Sequence, residues 1–282
     1  MDGPAAGLVT RPVVVGVDGS QPCMTAVEAA AREADRLGVG LRLAHALQWS
    51  SANVPPGVPP WDRGAPGACE VVKGALEEAE RRARRAAPRV RVTHEVLMGD
   101  PATVLASASR NASLTVVGGR TPARRHGGGR RGSVAGRLAA HGCSPVLVVR
   151  GSPDPAGPVV LVADGDTAVA RAAAEFAFAE ASARGAEVAV LDGTRERNAS
   201  PADGFTDLLT SLEKKHPDTA VRHVHIPGGL RRALVEAGAE AQLVVVPAHG
   251  PRGPLGALLH PVRRAALRHA DCPVAVIRPV ED

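Results

Sequence analysis

Aromatic residues are scarce in this chain: it has no tyrosine, two tryptophans and three phenylalanines. Surfaces that bind single-stranded nucleic acid stack the bases on aromatic side chains, so the composition argues against that class of function. The formal net charge of +5 is modest for 282 residues and does not indicate a DNA-binding protein. We therefore expect no nucleic-acid partner, and we expect a core built from Val, Leu and Ala.

Long apolar runs and paired cysteines are absent as well. No stretch approaches the roughly 18 uninterrupted apolar residues that a membrane-spanning helix needs, and residues 1–11 lack the apolar run of a secretory signal. The four cysteines lie far apart without CxxC spacing, which argues against a zinc site or a disulfide framework. We expect free thiols, a cytoplasmic location and no membrane partner.

The chain contains an internal repeat. The segment Val13–Ser20 (VVVGVDGS) is matched by Val159–Asp166 (VVLVADGD), and His141–Arg150 is matched by His269–Arg278. The second copy is shorter, and we place the excess of the first copy in a Pro- and Gly-rich stretch, Gln48–Gly67.

A short linker separates the two copies. Residues 151–157 are rich in Gly and Pro, which is typical of a connection between domains. The repeat and the linker together predict two domains of one fold, spanning 10–151 and 157–280.

Each copy alternates apolar runs with helical patterns. In the first copy we predict strands at Pro12–Val17, Leu41–Leu47, Val90–Leu97, Leu114–Val117 and Val146–Val149. We predict helices at Thr25–Leu37, Glu70–Ala87, Ala102–Arg110 and Val134–His141. Continuous apolar strands between helices indicate an α/β, doubly wound fold whose parallel sheet is covered on both faces. Such sheets bind ligands where the strand order reverses, which here directs attention to the loops after the first and fourth strands.

The loop after the first strand reads Asp18-Gly19-Ser20. A carboxylate in this place can coordinate a divalent metal or bind a ribose hydroxyl. The same residues also cap helices well, since Asp and Ser accept from free backbone N–H groups and Gly permits a tight turn. These residues alone leave both interpretations open.

The loop after the fourth strand runs from Gly118 to Ser133 and contains five arginines. It leads directly into the helix predicted to begin at Val134. Free N–H groups and the positive end of a helix dipole make such a junction an anion site. The alternative interpretation is a flexible Gly/Arg loop without a ligand.

Taken together, these segments resemble the universal stress protein family, with two such domains in tandem. The resemblance rests on Val14–Ser20, Leu43–Ala46, Met98–Pro101, the Gly-rich loop with Gly132-Ser133-Val134, and His141–Arg150. It covers nearly the whole chain and recurs in the second copy. It implies two five-stranded parallel sheets of the Rossmann-like, adenine nucleotide alpha hydrolase-like fold, with ATP and Mg²⁺ as ligands.

The resemblance also implies which residues bind the nucleotide. Asp18 would contact the ribose or a metal-bound phosphate, and Met98 and Gly99 would line the adenine pocket. The complete implied set is Val17, Asp18, Gly19, Ser20, Ala46, Met98, Gly99, Gly118, Gly119, Arg120, Gly132, Ser133 and Val134.

The phosphate loop departs from the pattern Gly-x2-Gly-x9-Gly-Ser/Thr of the ATP-binding members. Counted from Gly119, the second glycine is replaced by Pro122, which has no N–H to donate to a phosphate. Counted from Gly118, Thr121 takes that position and ten residues precede Gly132. The sequence leaves both alignments open.

The second copy departs further. Its corresponding loop begins with Pro247 in place of the first glycine, and His260-Pro261 replaces Gly-Ser. Asp164 follows the first strand of this copy, where capping is the favoured explanation. We predict that the second copy is degenerate and has lost nucleotide binding.

No catalytic set accompanies these motifs, since the chain lacks a GxSxG elbow and a GxxxxGK[ST] loop. We therefore predict a non-enzymatic, ATP-binding regulator or stress-response factor, with slow ATP hydrolysis or self-phosphorylation left open by family analogy. The last strands are expected at sheet edges that pair within the chain or in a homodimer. The alternative function is an interaction module of the same fold that binds no nucleotide.

Overall fold

Strands and helices alternate along the chain in the computed structural model, which describes residues 11–47, 66–119, 133–151, 156–163, 168–192, 203–224, 230–248 and 261–278. The first half contains β1 (Val13–Gly16), α1 (Gln21–Leu37), β2 (Leu41–Leu47), α2 (Pro66–Ala86), β3 (Val92–Met98), α3 (Pro101–Ala108), β4 (Leu114–Gly118), α4 (Val134–His141) and β5 (Val146–Val149). The second half contains β6 (Val159–Ala163), α5 (Ala168–Arg184), β7 (Val188–Asp192), α6 (Asp203–Lys215), β8 (Val221–Val224), α7 (Leu230–Ala239), β9 (Leu243–Pro247), α8 (Pro261–His269) and β10 (Val274–Ile277).

Several element boundaries differ from the sequence prediction. Helix α1 begins at Gln21, earlier than the predicted Thr25, because Ser20 caps it and Pro22 fits its first turn. Helix α2 begins at Pro66 instead of Glu70, so the end of the predicted excess segment is helical. Strand β3 begins later than predicted, since the Val90 N–H still closes the turn after α2 by donating to the Ala87 carbonyl.

The ten strands form one sheet in the order β3-β2-β1-β4-β5-β10-β9-β6-β7-β8. All neighbours within each half are parallel, as the continuous apolar strands predicted. At the centre, β5 and β10 pair antiparallel, with Val146 opposite Val276 and Val148 opposite Val274. Each of these strands is the outer edge of its own half, and the two edges complete each other's backbone hydrogen bonds.

Helices cover both faces of the sheet. Alternate strand residues such as Val13 and Val15 pack with α1, α2, α5 and α6 in one cluster that runs across both halves. The opposite face packs against α3 and α4 in the first half and α7 and α8 in the second. Among the described residues the buried apolar core consists mainly of Val, Leu and Ala and includes the aromatic Phe178 and Phe205, in keeping with the low aromatic content. Among the described residues, no helix combines the length and apolarity needed to cross a membrane.

Helices α1 and α5 are joined across the two halves by a ring of four charged side chains, Glu33, Arg36, Glu180 and Arg184. Arg36 bonds both carboxylates, and the Arg184 Nη2 lies 2.6 Å from Glu33 Oε1 and 2.8 Å from Glu180 Oε2. Burial raises the pKa of Glu180, and the neighbouring charge of Glu33 adds to that effect. The ring therefore ties the halves together on one face of the sheet.

The strand order reverses between β1 and β4. From β1 the chain moves outward through β2 to β3, and it then returns to the other side of β1 as β4. The helices on either side of this point lie on opposite faces, so a crevice opens beyond the carboxyl ends of β1 and β4.

Candidate functional site

The loop after β1 is held by the side chain of Asp18. Its Oδ1 accepts hydrogen bonds from the Ser20 N–H (2.9 Å) and the Ser20 hydroxyl (2.6 Å). Ser20 in turn caps α1 by accepting from the Cys23 N–H at 3.4 Å, and Gly19 supplies the positive φ of 76° that the turn requires. The structure therefore shows the helix cap that the sequence allowed. The second carboxylate oxygen, Asp18 Oδ2, makes no hydrogen bond to a described residue.

The side chain of Cys23 makes two hydrogen bonds to the backbone next to this loop. Its Sγ accepts from the Asp18 N–H at 3.3 Å and donates to the Gly16 carbonyl at 3.4 Å. Burial raises the pKa of this thiol to about 11, so it stays protonated. The sequence prediction missed Cys23, because a single cysteine without CxxC spacing carries no signal for such a role.

The predicted adenine-side residues lie along the carboxyl ends of β2 and β3. Ala46 stands opposite Leu97 in the sheet, and the neighbouring Met98 is 61% exposed, unusually open for an apolar side chain. Gly99 has φ of 133°, and its N–H donates to the Leu47 carbonyl at 3.0 Å. This edge therefore presents an open apolar surface beside backbone groups.

Val17, also in the predicted set, continues β1 beside this edge. Its N–H donates to the Ala44 carbonyl at 2.8 Å, and its own carbonyl lies 2.8 Å from His45 Nδ1. The structure thus brings the loop after β1 next to the end of β2.

The predicted phosphate-side glycines lie in tightly packed positions. A Cβ on Gly118 would stand 2.9 Å from the Pro22 carbonyl oxygen in the first turn of α1. A Cβ on Gly119 would stand 3.0 Å from Arg150 Cβ. The Gly119 N–H donates to the Val149 carbonyl at 2.7 Å. Gly118 is therefore required for the close approach of β4 to α1. At Gly119, by contrast, an added Cβ would fit only if Arg150 and Val149 gave way slightly.

The N-terminus of α4 faces the same crevice. Ser133 caps the helix, its Oγ accepting from the Gly136 N–H at 3.1 Å. The N–H groups of Val134 and Ala135 have no acceptor among the described residues, as expected for the first turn of a helix. Two backbone donors and the positive dipole end are thus left for an anion.

A polar link joins the adenine side to α4. The Arg137 Nη1 lies 2.7 Å from Asp100 Oδ2, and its Nη2 donates to the Thr103 hydroxyl at 3.0 Å. The hydrogen bond from Thr103 and the charge of Arg137 hold the pKa of Asp100 below its ordinary value. Because Asp100 follows Gly99 directly, α4 and the end of β3 are fixed relative to each other.

Some predicted positions lie outside the described residues. They are Arg120, Thr121, Pro122 and Gly132 in the first half, and Asp164 with 249–260 in the second.

Comparison with known proteins identifies the family. The model of the universal stress protein family matches residues 10–150 and again 158–278. The chain belongs to the universal stress protein family. A universal stress protein from Mycobacterium tuberculosis is 30% identical over 294 residues, covering 94% of this chain and 96% of its relative. The crystal structure of a universal stress protein from Archaeoglobus fulgidus has the same fold, with a TM-score of 0.71 at 18% identity over 96% of this chain and 97% of its own.

The second half of this universal stress protein differs at the positions that correspond to the glycines. Pro247 ends β9 where Gly118 ends β4, and Ala248 stands in the place of Gly119, its N–H donating to the Ile277 carbonyl at 2.8 Å. The buried Arg263 of α8 donates to the Ala248 carbonyl. Burial and the charge of Arg278 lower the pKa of Arg263 to about 10.

The metal prediction rests on Asp18 alone. Among the residues that the structure describes, no group of three or more His, Cys, Asp or Glu side chains is arranged to hold a metal. Mg²⁺ is commonly bound through one or two carboxylates together with the phosphates of its ligand. The residues present therefore fit a Mg²⁺ ion that arrives with a nucleotide better than a metal bound by the protein alone.

Proposed function

We propose that the first half of this universal stress protein binds ATP with Mg²⁺, and that the protein is a cytoplasmic, non-enzymatic regulator in the stress response. The N–H groups of Val134 and Ala135 at the N-terminus of α4, which have no acceptor in the part of the chain that the structure describes, carry the proposal. Uncompensated backbone donors at a helix N-terminus favour a phosphate group. The thiols of Cys23, Cys143 and Cys272, all free, support the reducing compartment.

The remaining groups of the crevice would share the binding. Asp18 would hold Mg²⁺, or a ribose hydroxyl, through the oxygen that does not bind Ser20. Exposed Met98 and the backbone near Gly99 and Ala46 would receive the adenine, whose flat apolar face suits the thioether. Gly118 and Gly119, with Ser133, would bring backbone close to the phosphates, since neither glycine carries a side chain and the backbone of α1 leaves no room for one at Gly118.

Calorimetric titration with ATP, with and without Mg²⁺, tests this proposal. We expect one ATP per chain, because in the second half Pro247 has no N–H to donate to a phosphate and His260-Pro261 replaces Gly-Ser. Asp18→Asn keeps an Oδ1 acceptor for the cap but removes the charge, so it should weaken binding of Mg-ATP and spare metal-free ATP. Asp35→Asn makes the same charge change at an exposed position of α1 and serves as the control.

An interaction module without nucleotide is the second candidate. The observation that favours it is the capping of α1, which already engages Asp18 and Ser20 without a ligand. Two ATP molecules per chain would contradict the assignment of the second half as degenerate. No heat of binding at millimolar ATP would overturn the nucleotide proposal and leave the interaction module.

A further inference from the structure

Arg150 crosses from the first half into the second. It follows β5, and its Nη2 donates to the Leu267 carbonyl at 2.6 Å while its Nη1 lies 3.5 Å from the Ala270 carbonyl oxygen. Both carbonyls stand at the C-terminal end of α8, where carbonyl groups lack helical partners and the dipole is negative. The guanidinium of Arg150 therefore caps a helix of the other half.

The Arg150 side chain also packs directly against Gly119. A Cβ on Gly119 would lie 3.0 Å from Arg150 Cβ and 3.1 Å from its Nε. The Gly119 N–H is bonded to the Val149 carbonyl, immediately before Arg150. A shift of the Arg150 side chain would consequently remove the support beneath the start of the candidate phosphate loop.

A second contact links the phosphate side to the second half. Arg278 follows β10, and its Nη2 donates to the Ala139 carbonyl at 2.8 Å in the last turn of α4. Arg263 donates to the same carbonyl at 3.2 Å. The helix whose N-terminus carries Ser133 is thus held at its other end by arginines of the second half.

We propose that Arg150 is a positioning residue through which the second half sets the nucleotide affinity of the first. Arg150 fixes the backbone at Gly119 against α8, so the second half takes part in binding without contacting the nucleotide. This inference rests on the proposed function of the first half and deepens it by assigning a regulatory role to the degenerate copy.

Two substitutions of Arg150 test the inference against a matched control. Arg150→Met keeps an apolar stem under Gly119 but loses the charge and the donors, whereas Arg150→Lys keeps the charge. Arg184→Met is the control, because Arg184 also crosses between the halves, is buried to a similar degree and does not touch the loop. The readouts are Mg-ATP affinity by calorimetry and amide hydrogen exchange in peptides that cover Gly118 and Gly119.

We expect Arg150→Met to weaken Mg-ATP binding about five- to tenfold, the lower part of the usual range for coupled sites, and to accelerate exchange at Gly119. Arg150→Lys should fall between wild type and Arg150→Met, and it replaces Arg150→Met if that variant does not fold. Arg184→Met should match wild type in both readouts. Unchanged exchange and affinity in the Arg150 variants, or equal changes in Arg184→Met, would overturn the inference.

The two proposals fail in different ways. If the wild-type protein binds no ATP, the proposed function is wrong, and amide exchange alone decides whether Arg150 positions the loop. If the wild type binds ATP and the Arg150 variants bind it equally well, the function stands and the positioning role is wrong.

Discussion

Substituting alanine for Gly118 should destabilise the protein, because the crevice leaves no room for a methyl group. The added Cβ would stand 2.9 Å from the carbonyl oxygen of Pro22, 3.0 Å from its carbonyl carbon and 3.1 Å from the Cys23 nitrogen. All three atoms belong to the backbone of the first turn of α1, which cannot move aside as a flexible side chain would. The turn must shift as a unit, and the Cys23 contacts to Asp18 must shift with it.

The magnitude follows from two opposing terms. Overpacking of this kind costs about 1–3 kcal/mol, and the reduced freedom of the unfolded chain returns roughly 0.4–1 kcal/mol. We therefore expect a net loss of about 1–2 kcal/mol. Each kcal/mol lost lowers the melting temperature by about 2–4 °C in proteins of roughly 150–250 residues, and the shift per kcal/mol should be near the lower end of that range in this larger chain.

Gly74→Ala is the matched control for this substitution. Gly74 lies in α2, is exposed and has no atom within 4 Å of an added Cβ. Helix propensity then favours alanine by about 0.8–1 kcal/mol. Differential scanning calorimetry should show a lowered melting temperature for Gly118→Ala and a raised one for Gly74→Ala. Equal, favourable shifts in both variants would refute the steric argument.

Three further predictions concern other parts of the molecule. Burial raises the pKa of Glu180, so the folded state binds this proton more tightly than the unfolded state does. The free energy of unfolding should therefore rise as the pH falls from neutral toward the ordinary carboxyl pKa. In urea titrations at several pH values, Glu180→Gln should flatten that rise. Iodoacetamide followed by peptide mapping should modify exposed Cys143 well before buried Cys23, whose pKa is raised to about 11, and equal rates would contradict the loop geometry. Ser133→Ala should cost about 1 kcal/mol in urea denaturation through loss of the α4 cap, and an unchanged midpoint would show that the cap does not form in solution.

The sequence predicts the local elements well and the contacts between halves poorly. Strand β2, helix α4 and strand β5 have the predicted bounds, because apolar periodicity and Gly or Pro punctuation are local signals. The bond between Arg36 and Glu180 joins residues 144 positions apart, and the bond between Arg150 and Leu267 joins residues 117 apart. Such contacts exist only after β5 has paired with β10. The sequence predicted that the last strands pair within the chain or in a homodimer, but no local pattern chose between the two or indicated which side chains would meet.

One signal of the Arg150 contact was present in the sequence. The matched segments that end the two copies both finish on arginine, at 150 and at 278. From the sequence alone, each arginine is only the polar residue that follows an apolar strand. The structure shows that each one caps a helix of the opposite copy, which makes the repeat itself part of the explanation.

The two halves differ where a ligand would bind and agree where they contact each other. Gly118 and Gly119 correspond to Pro247, which has no N–H, and Ala248, whose carbonyl accepts from Arg263. The reciprocal arginine caps, by contrast, need an acceptor in each half: α8 supplies carbonyls to Arg150, and α4 supplies one to Arg278. Removing the second half would therefore expose the edge of β5, leave Arg150 without its acceptors and free the end of α4. On this reasoning the second half is required for the first even if it binds no ligand itself.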